Sequence, residues 1–132
     1  MRFRFILSAT LLLCAVVFAR PAAAQAPAAQ QSTAVKTMAT ILMSVNHFPN
    51  DENKKALTEL AAEPATTDSE KVLIQAMLSM QHSITAADKP KVEAIMNDES
   101  APAGVKTLAT ILARFQHMVS AADKAALEKL AA

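Results

Sequence analysis

The sequence has few of the residues on which several common functional sites depend. It contains no tryptophan or tyrosine, one glycine and one cysteine. A single glycine cannot form the glycine-rich loop that cradles phosphates in nucleotide-binding proteins. Cys14 lies in an N-terminal apolar run that we expect to be removed, so the mature chain would have no disulfide, thiolate metal ligand or cysteine nucleophile. Its stability must then come from packing.

Aromatic and basic residues are also too few for nucleic-acid binding. Beyond residue 24 the only phenylalanines are Phe48 and Phe115, which cannot form a platform for stacking bases. Arg2, Arg4 and Arg20 belong to the expected signal, and without them the chain has 10 basic against 12 acidic side chains and no basic cluster. The sequence therefore predicts no nucleic-acid partner.

The first 24 residues follow the pattern of a cleavable secretory signal. Two arginines near the N-terminus precede an apolar run over residues 5–19, and residues 22–24 form an alanine cleavage site before Gln25. The run is shorter than the roughly 20 residues that a membrane-spanning helix needs, and no second run of that length follows. We expect cleavage after residue 24, export to the periplasm or the medium, and no membrane-spanning segment in the mature chain.

Three histidines reveal an internal repeat. His47, His82 and His117 are spaced by 35 residues, and aligning the chain on them without gaps brings residues 35–42 into register with residues 105–112. Those two segments differ at one position only. Self-similarity at such a period is typical of stacked helical units. We predict three tandem copies, at residues 35–69, 70–104 and 105–132.

Each copy is predicted to form a helix-turn-helix unit. Apolar residues in the first helix recur at the 3.6-residue period, as they do at Leu108, Ile111 and Leu112. The second helix follows a capping residue, which is Asn50, Thr85 or Ser120 in the three copies. In the middle copy we expect the helix to begin late, after Asp88, because Pro90 is then in the first turn, where its missing N–H costs little.

These units predict an all-α protein of six helices. A single hairpin cannot bury its own apolar face, so the copies must stack into a short α-solenoid or close into a compact helical bundle. We expect one domain over residues 34–132, preceded by a flexible leader over residues 25–33. The links between copies, residues 63–68 and 98–104, contain helix breakers, and the second contains Gly104.

The three equivalent histidines are candidate metal ligands. Imidazole is a common ligand of zinc and copper, and His47, His82 and His117 could together enclose one ion. The alternative is that each histidine lies at a helix end, where it bonds the last carbonyls and meets the negative end of the helix dipole. In a linear stack, equivalent positions are about 8–10 Å apart, which is too far for a shared ion. Only a closed, pseudo-threefold arrangement would bring them together, so the sequence favours the helix-end role.

Methionines near the histidines raise the same question. Met43, Met80 and Met118 lie within four residues of a histidine, and thioether with imidazole suits copper. Methionine is also an ordinary core residue that fills gaps, and the apolar periodicity favours that role for most of them.

Three apolar residues, Phe48, Met118 and Val119, are not explained by the predicted helix faces. We interpret them as a binding surface, which makes the leading hypothesis an exported, non-catalytic module that binds a protein, a peptide or a small apolar ligand. The alternative hypothesis is binding of copper or zinc. Catalysis is the least supported class, because no serine has a glycine elbow or an adjacent base and no pair of carboxylates lies in an apolar setting. Apart from the metal, no cofactor is predicted.

Overall fold

The structure is a computed structural model that describes residues 30–132, and these residues form six α-helices. The helices are α1 (Thr33–Ser44), α2 (Asp51–Ala62), α3 (Asp68–Ser79), α4 (Lys89–Asn97), α5 (Ala103–Arg114) and α6 (Ala121–Ala131). Residues 30–132 contain no strand, which confirms the predicted all-α class. The predicted signal over residues 1–24 lies outside the described residues, as do residues 25–29 of the predicted leader.

The second helices begin where their capping residues predict. The side chain of Asn50 accepts a hydrogen bond of 2.8 Å from the Asn53 N–H, and Ser120 accepts one of 3.1 Å from the Asp123 N–H. The late start of the middle one is confirmed, since α4 begins at Lys89 and has a proline in its first turn. Side-chain caps mark the starts of α2 and α6, whereas α4 starts without a capping hydrogen bond from Asp88 and has the proline in its first turn.

The first helices are equally spaced along the chain. Helices α1, α3 and α5 each have 12 residues and begin at residues 33, 68 and 103. The side chain of Ser32 caps α1, so the last residues of the predicted leader belong to the start of this helix. Thr67 and Glu70 form a reciprocal capping box at the start of α3.

Gly104 is not part of a link, and the prediction that placed it there is wrong. It is the second residue of α5 and is buried. A Cβ at this position would collide with the Gln31 side chain and lie 3.2 Å from Cγ1 of Val35. The end of the Gln31 side chain is flexible and can move, so the close approach of the N-terminal turn of α5 to the start of α1 favours glycine without requiring it.

The helices close into a bundle with an inner and an outer layer. The inner helices α1, α3 and α5 pack on one another, and each outer helix packs against the next inner helix: α2 on α3, α4 on α5 and α6 on α1. The centre is filled by fully buried side chains from the inner helices: Met38, Leu42, Leu73, Met77, Leu108 and Leu112. The contact of α6 with α1 decides between the two predicted architectures, because in a linear solenoid the last and first helices do not meet.

Side-chain and backbone contacts reinforce this closure. Nζ of Lys36 in α1 donates a hydrogen bond of 2.7 Å to the Ala132 carbonyl, just beyond α6. At one end of the bundle Ser32 contacts Glu70, and at the other the loops that follow the three inner helices meet. The inner helices therefore run parallel, with their C-termini at the same end. No helix among residues 30–132 combines the length and hydropathy needed to cross a bilayer.

Candidate metal centre

The loops after α1 and α5 share an unusual backbone conformation. His47 and His117 have φ angles of 74° and 65°, which lie in the left-handed region. Isolated bridges join the residues on either side, Asn46 to Phe48 and Gln116 to Met118. A non-glycine residue in this region costs on the order of 1–2 kcal/mol, although histidine adopts it more readily than most residues. The surrounding structure must therefore hold each loop in place.

Backbone hydrogen bonds connect the three loops to one another. The N–H of His47 donates to the carbonyl of His117 at 2.6 Å, and the N–H of His117 donates to the carbonyl of His82 at 2.7 Å. Each bond joins loops that are distant in sequence. The backbone at the three histidines is consequently fixed around a common centre.

The three imidazoles lie in mutual contact at this centre. Ring centroids are 5.2 Å apart between His47 and His82, 5.2 Å between His47 and His117, and 5.0 Å between His82 and His117. The rings meet edge to face, with interplanar angles of 89°, 85° and 65°. The expectation that the histidines stand one helix spacing apart is therefore wrong, because it assumed a linear stack.

One ring nitrogen from each histidine lies within 4.8 Å of the other two. An ion bound at about 2.0–2.1 Å in tetrahedral geometry holds its ligand nitrogens about 3.3 Å apart. Small side-chain rotations would close the difference, and two of the rings, His82 and His117, are exposed and have room to turn. His47 is half-buried and is the least exposed of the three candidate ligands. Within residues 30–132 no other group of histidine, cysteine or acidic side chains converges in this way.

The inner helices favour a positive charge at this end of the bundle. Each helix C-terminus carries about half a negative charge, and the C-termini of α1, α3 and α5 all lie beside the histidines. No basic residue occupies the last turn of α1 or α3. Arg114 occupies the last turn of α5, but its guanidinium pairs with the Asp123 carboxylate. The helix ends thus leave a negative potential that a cation can neutralise.

A polar contact closes the base of each histidine loop. It joins residues nine positions apart, at the end of an inner helix and the start of the next outer helix. The three contacts are Ser44 with Asn53, Ser79 with Asp88, and Arg114 with Asp123. They restrict the spacing of the two ends of each loop, which helps to position the imidazole between them.

The predicted apolar surface lies beside the histidines. Phe48 and Met118 each follow a histidine and are 56% and 59% exposed, respectively. Val119 is half-buried and packs against the core. Of the other two methionines that the sequence places near a histidine, Met80 is buried in the core and Met43 is partly buried against it.

Two grooves open at this end of the bundle. One, of about 330 Å³, reaches His82 and is lined by Phe48, Lys54, Leu78, Ser79, Met80 and Gln81. The other, of about 660 Å³, contains Met118, Val119 and the Arg114–Asp123 pair but no histidine. The first groove was not predicted from the sequence, because it depends on how the loop after α1 approaches the end of α3.

Comparisons of the chain with protein-family models, with curated proteins and with solved structures give no match.

Proposed function

We propose that this chain is an exported, non-catalytic metal-binding protein in which His47, His82 and His117 hold one zinc or copper ion. The observation that carries the proposal is the convergence of one ring nitrogen from each of three separate loops to within 4.8 Å. The proposal includes a signal peptide over residues 1–24 and three helix-turn-helix copies of 35 residues. The equal spacing of the inner helices supports the latter.

The contacts of the rings favour a ligand role over a helix-end role. Within residues 30–132 no imidazole makes a hydrogen bond to a helix carbonyl, which is the bond that the alternative requires. His47 and His117 also occupy backbone positions where glycine would be less strained. A histidine side chain retained at such a position is consistent with a direct role for the imidazole.

The ligand set favours zinc or divalent copper. Imidazole nitrogens suit both ions, whereas calcium and magnesium prefer oxygen ligands. Three protein ligands leave a fourth position for water or another small ligand. The exposure of His82 and His117 supports an ion that faces solvent.

A second candidate function is binding of a protein, a peptide or a small apolar ligand at Phe48, Met118 and Val119. The exposure of Phe48 and Met118 supports it, since large apolar side chains grouped beside a site favour a contact surface. This function is compatible with metal binding, because the two sets of residues adjoin.

Calorimetric titration of the purified protein with Zn(II), Cu(II) and Cu(I) tests the proposal. The matched variant replaces all three histidines by asparagine, which tolerates the left-handed region better than alanine does and so preserves the loops. Binding of one ion per chain, lost in the asparagine variant, is the expected result. If the folded protein binds none of the three ions, the proposed function is wrong.

A further inference from the structure

The smaller groove connects the histidine cluster to an apolar wall. Its apolar lining residues are Phe48, from the loop after α1, and Leu78 and Met80, from the end of α3. His82 also lines the groove, and the centroid of its ring is 5.2 Å from that of His47. A ligand in the groove would therefore reach an ion held by the three imidazoles.

The charge of the groove favours an anion. Lys54 is the only lysine, arginine or acidic side chain in its lining, and its Nζ lies 5.9 Å from the centre of the Phe48 ring. Among residues 30–132 the ion pairs involve Lys55, Lys91 and Arg114, and none involves Lys54. An ammonium over an aromatic wall, with no acidic partner, provides a favourable site for a negatively charged group with an apolar body.

The size of the groove favours a small molecule. Its volume of about 330 Å³ is at the lower end of the range of small-molecule pockets, about 300–1,000 Å³. Phe48 is 56% exposed, so a ligand can cover much of this ring. The larger groove is less suitable, because its Arg114–Asp123 pair is already neutralised and it does not reach a histidine.

We infer that the fourth coordination position takes the carboxylate of a small apolar monocarboxylic acid, whose hydrocarbon part lies between Phe48 and Leu78. This inference rests on the proposed metal site. The carboxylate oxygen replaces the water on the ion, the Lys54 ammonium attracts the carboxylate, and the apolar part covers Phe48. Metal binding and apolar binding are then two parts of one site.

Cobalt-loaded protein provides a direct test, because the visible spectrum of Co(II) changes when its coordinated water is replaced. The protein is first titrated with Co(II), and the complex is then titrated with hexanoate, acetate and hexanol. We expect hexanoate to change the spectrum and to bind at least about tenfold more tightly than acetate, since its longer chain buries several more methylene groups. Hexanol, which has no carboxylate, should leave the spectrum unchanged.

Matched variants assign the effect to the groove. Phe48→Ala should weaken hexanoate binding about tenfold, and Lys54→Gln should weaken the binding of both hexanoate and acetate several-fold. Met96→Ala, in α4, and Lys124→Gln, in α6, are the controls outside this groove, and neither should change hexanoate binding. All four side chains are at least partly exposed, so the fold should be retained.

The outcomes separate this inference from the proposed function. If Co(II), Zn(II) and copper all fail to bind, the metal site is wrong and this inference fails with it. If Co(II) binds but hexanoate binds no better than acetate, or if Phe48→Ala behaves like Met96→Ala, the metal site stands and the carboxylate inference is overturned.

Discussion

The hydroxyl of Ser79 donates a hydrogen bond of 2.6 Å to the carboxylate of Asp88, nine residues further along the chain. Thr85 donates a second one of 2.7 Å to the same oxygen, and Lys91 contacts the other oxygen. The end of α3 is thereby joined to the start of α4, across the loop that contains His82. Asp88 is buried, so the contact contributes to stability as well as to loop geometry.

These contacts predict that the fold loses stability in acid. The hydrogen bonds from Ser79 and Thr85, and then the Lys91 ammonium, hold the pKa of Asp88 below its ordinary value of 3.8. A carboxyl group whose pKa is lower in the folded than in the unfolded protein stabilises the fold at pH values above its unfolded pKa. That stabilisation is lost as the pH falls through the folded pKa. The free energy of unfolding should therefore decrease as pH falls below about 4. Thermal unfolding between pH 2.5 and pH 7 measures this decrease.

Asp123 should contribute in the same direction. Burial raises the pKa of its carboxyl group, but hydrogen bonds from Arg114 and Ser120 outweigh burial and lower the pKa. Asp88→Asn combined with Asp123→Asn should reduce the acid dependence of the free energy of unfolding. An acid dependence equal in the double variant and the parent protein would contradict the assignment.

Removing the Glu70 carboxylate should destabilise the opposite end of the bundle. This side chain is 2% exposed and accepts hydrogen bonds from Ser32 and from the hydroxyl and N–H of Thr67. Glu70→Ala should lower the free energy of unfolding by about 1–3 kcal/mol, because it removes hydrogen bonds to a charged group, including half of the capping box of α3. The other inner helices have valine here, at Val35 and Val105, so Glu70→Val should recover part of the loss. Urea denaturation compares the variants, and equal stability of parent and Glu70→Ala protein would contradict the prediction.

Glycine substitutions at His47 and His82 should change the stability of the protein in opposite directions. His47 has a φ of 74°, so His47→Gly relieves backbone strain and should raise the metal-free stability by up to about 1 kcal/mol. His82 does not have a positive φ, so His82→Gly only increases the entropy of the unfolded chain and should destabilise the protein. Urea denaturation in the presence of a chelator measures both effects. Identical effects of the two substitutions would show that the strain at His47 is negligible.

Binding of zinc should stabilise the parent protein and have no effect when the histidines are replaced. A ligand that binds only the folded state adds about 2.7 kcal/mol at 100 times its dissociation constant. The thermal midpoint should therefore rise with zinc concentration in the parent protein. The triple asparagine variant is the control, and a rise of equal size in that variant would indicate binding elsewhere.

Local features of the fold could be predicted from the sequence, and long-range ones could not. The caps at Asn50 and Ser120 and the late start of α4 depend on residues a few positions apart, so periodicity and capping identify them. Closure depends on the rotation between successive hairpins and on the contact of α6 with α1, and no short pattern encodes either of these. The predicted distance between the histidines was wrong for the same reason, because it was derived from an assumed linear stack.

The left-handed residues show a second limit of sequence analysis. Glycine usually marks a positive φ, but the only glycine, Gly104, has a helical backbone, whereas His47 and His117 have the left-handed one. Tertiary hydrogen bonds between loops impose that conformation, and residue type alone does not indicate it. The histidines could thus be identified as a set from their spacing, but their backbone geometry required the structure.

Because α6 packs against α1, the three hairpins form a closed ring and not an open array. An open array can gain or lose a unit and keep its local geometry, whereas a ring that gains a unit must widen at its axis. A fourth hairpin inserted into this ring would move the imidazoles outward, beyond the reach of a single ion. The number of ligands at the axis is therefore tied to the number of hairpins that complete one turn.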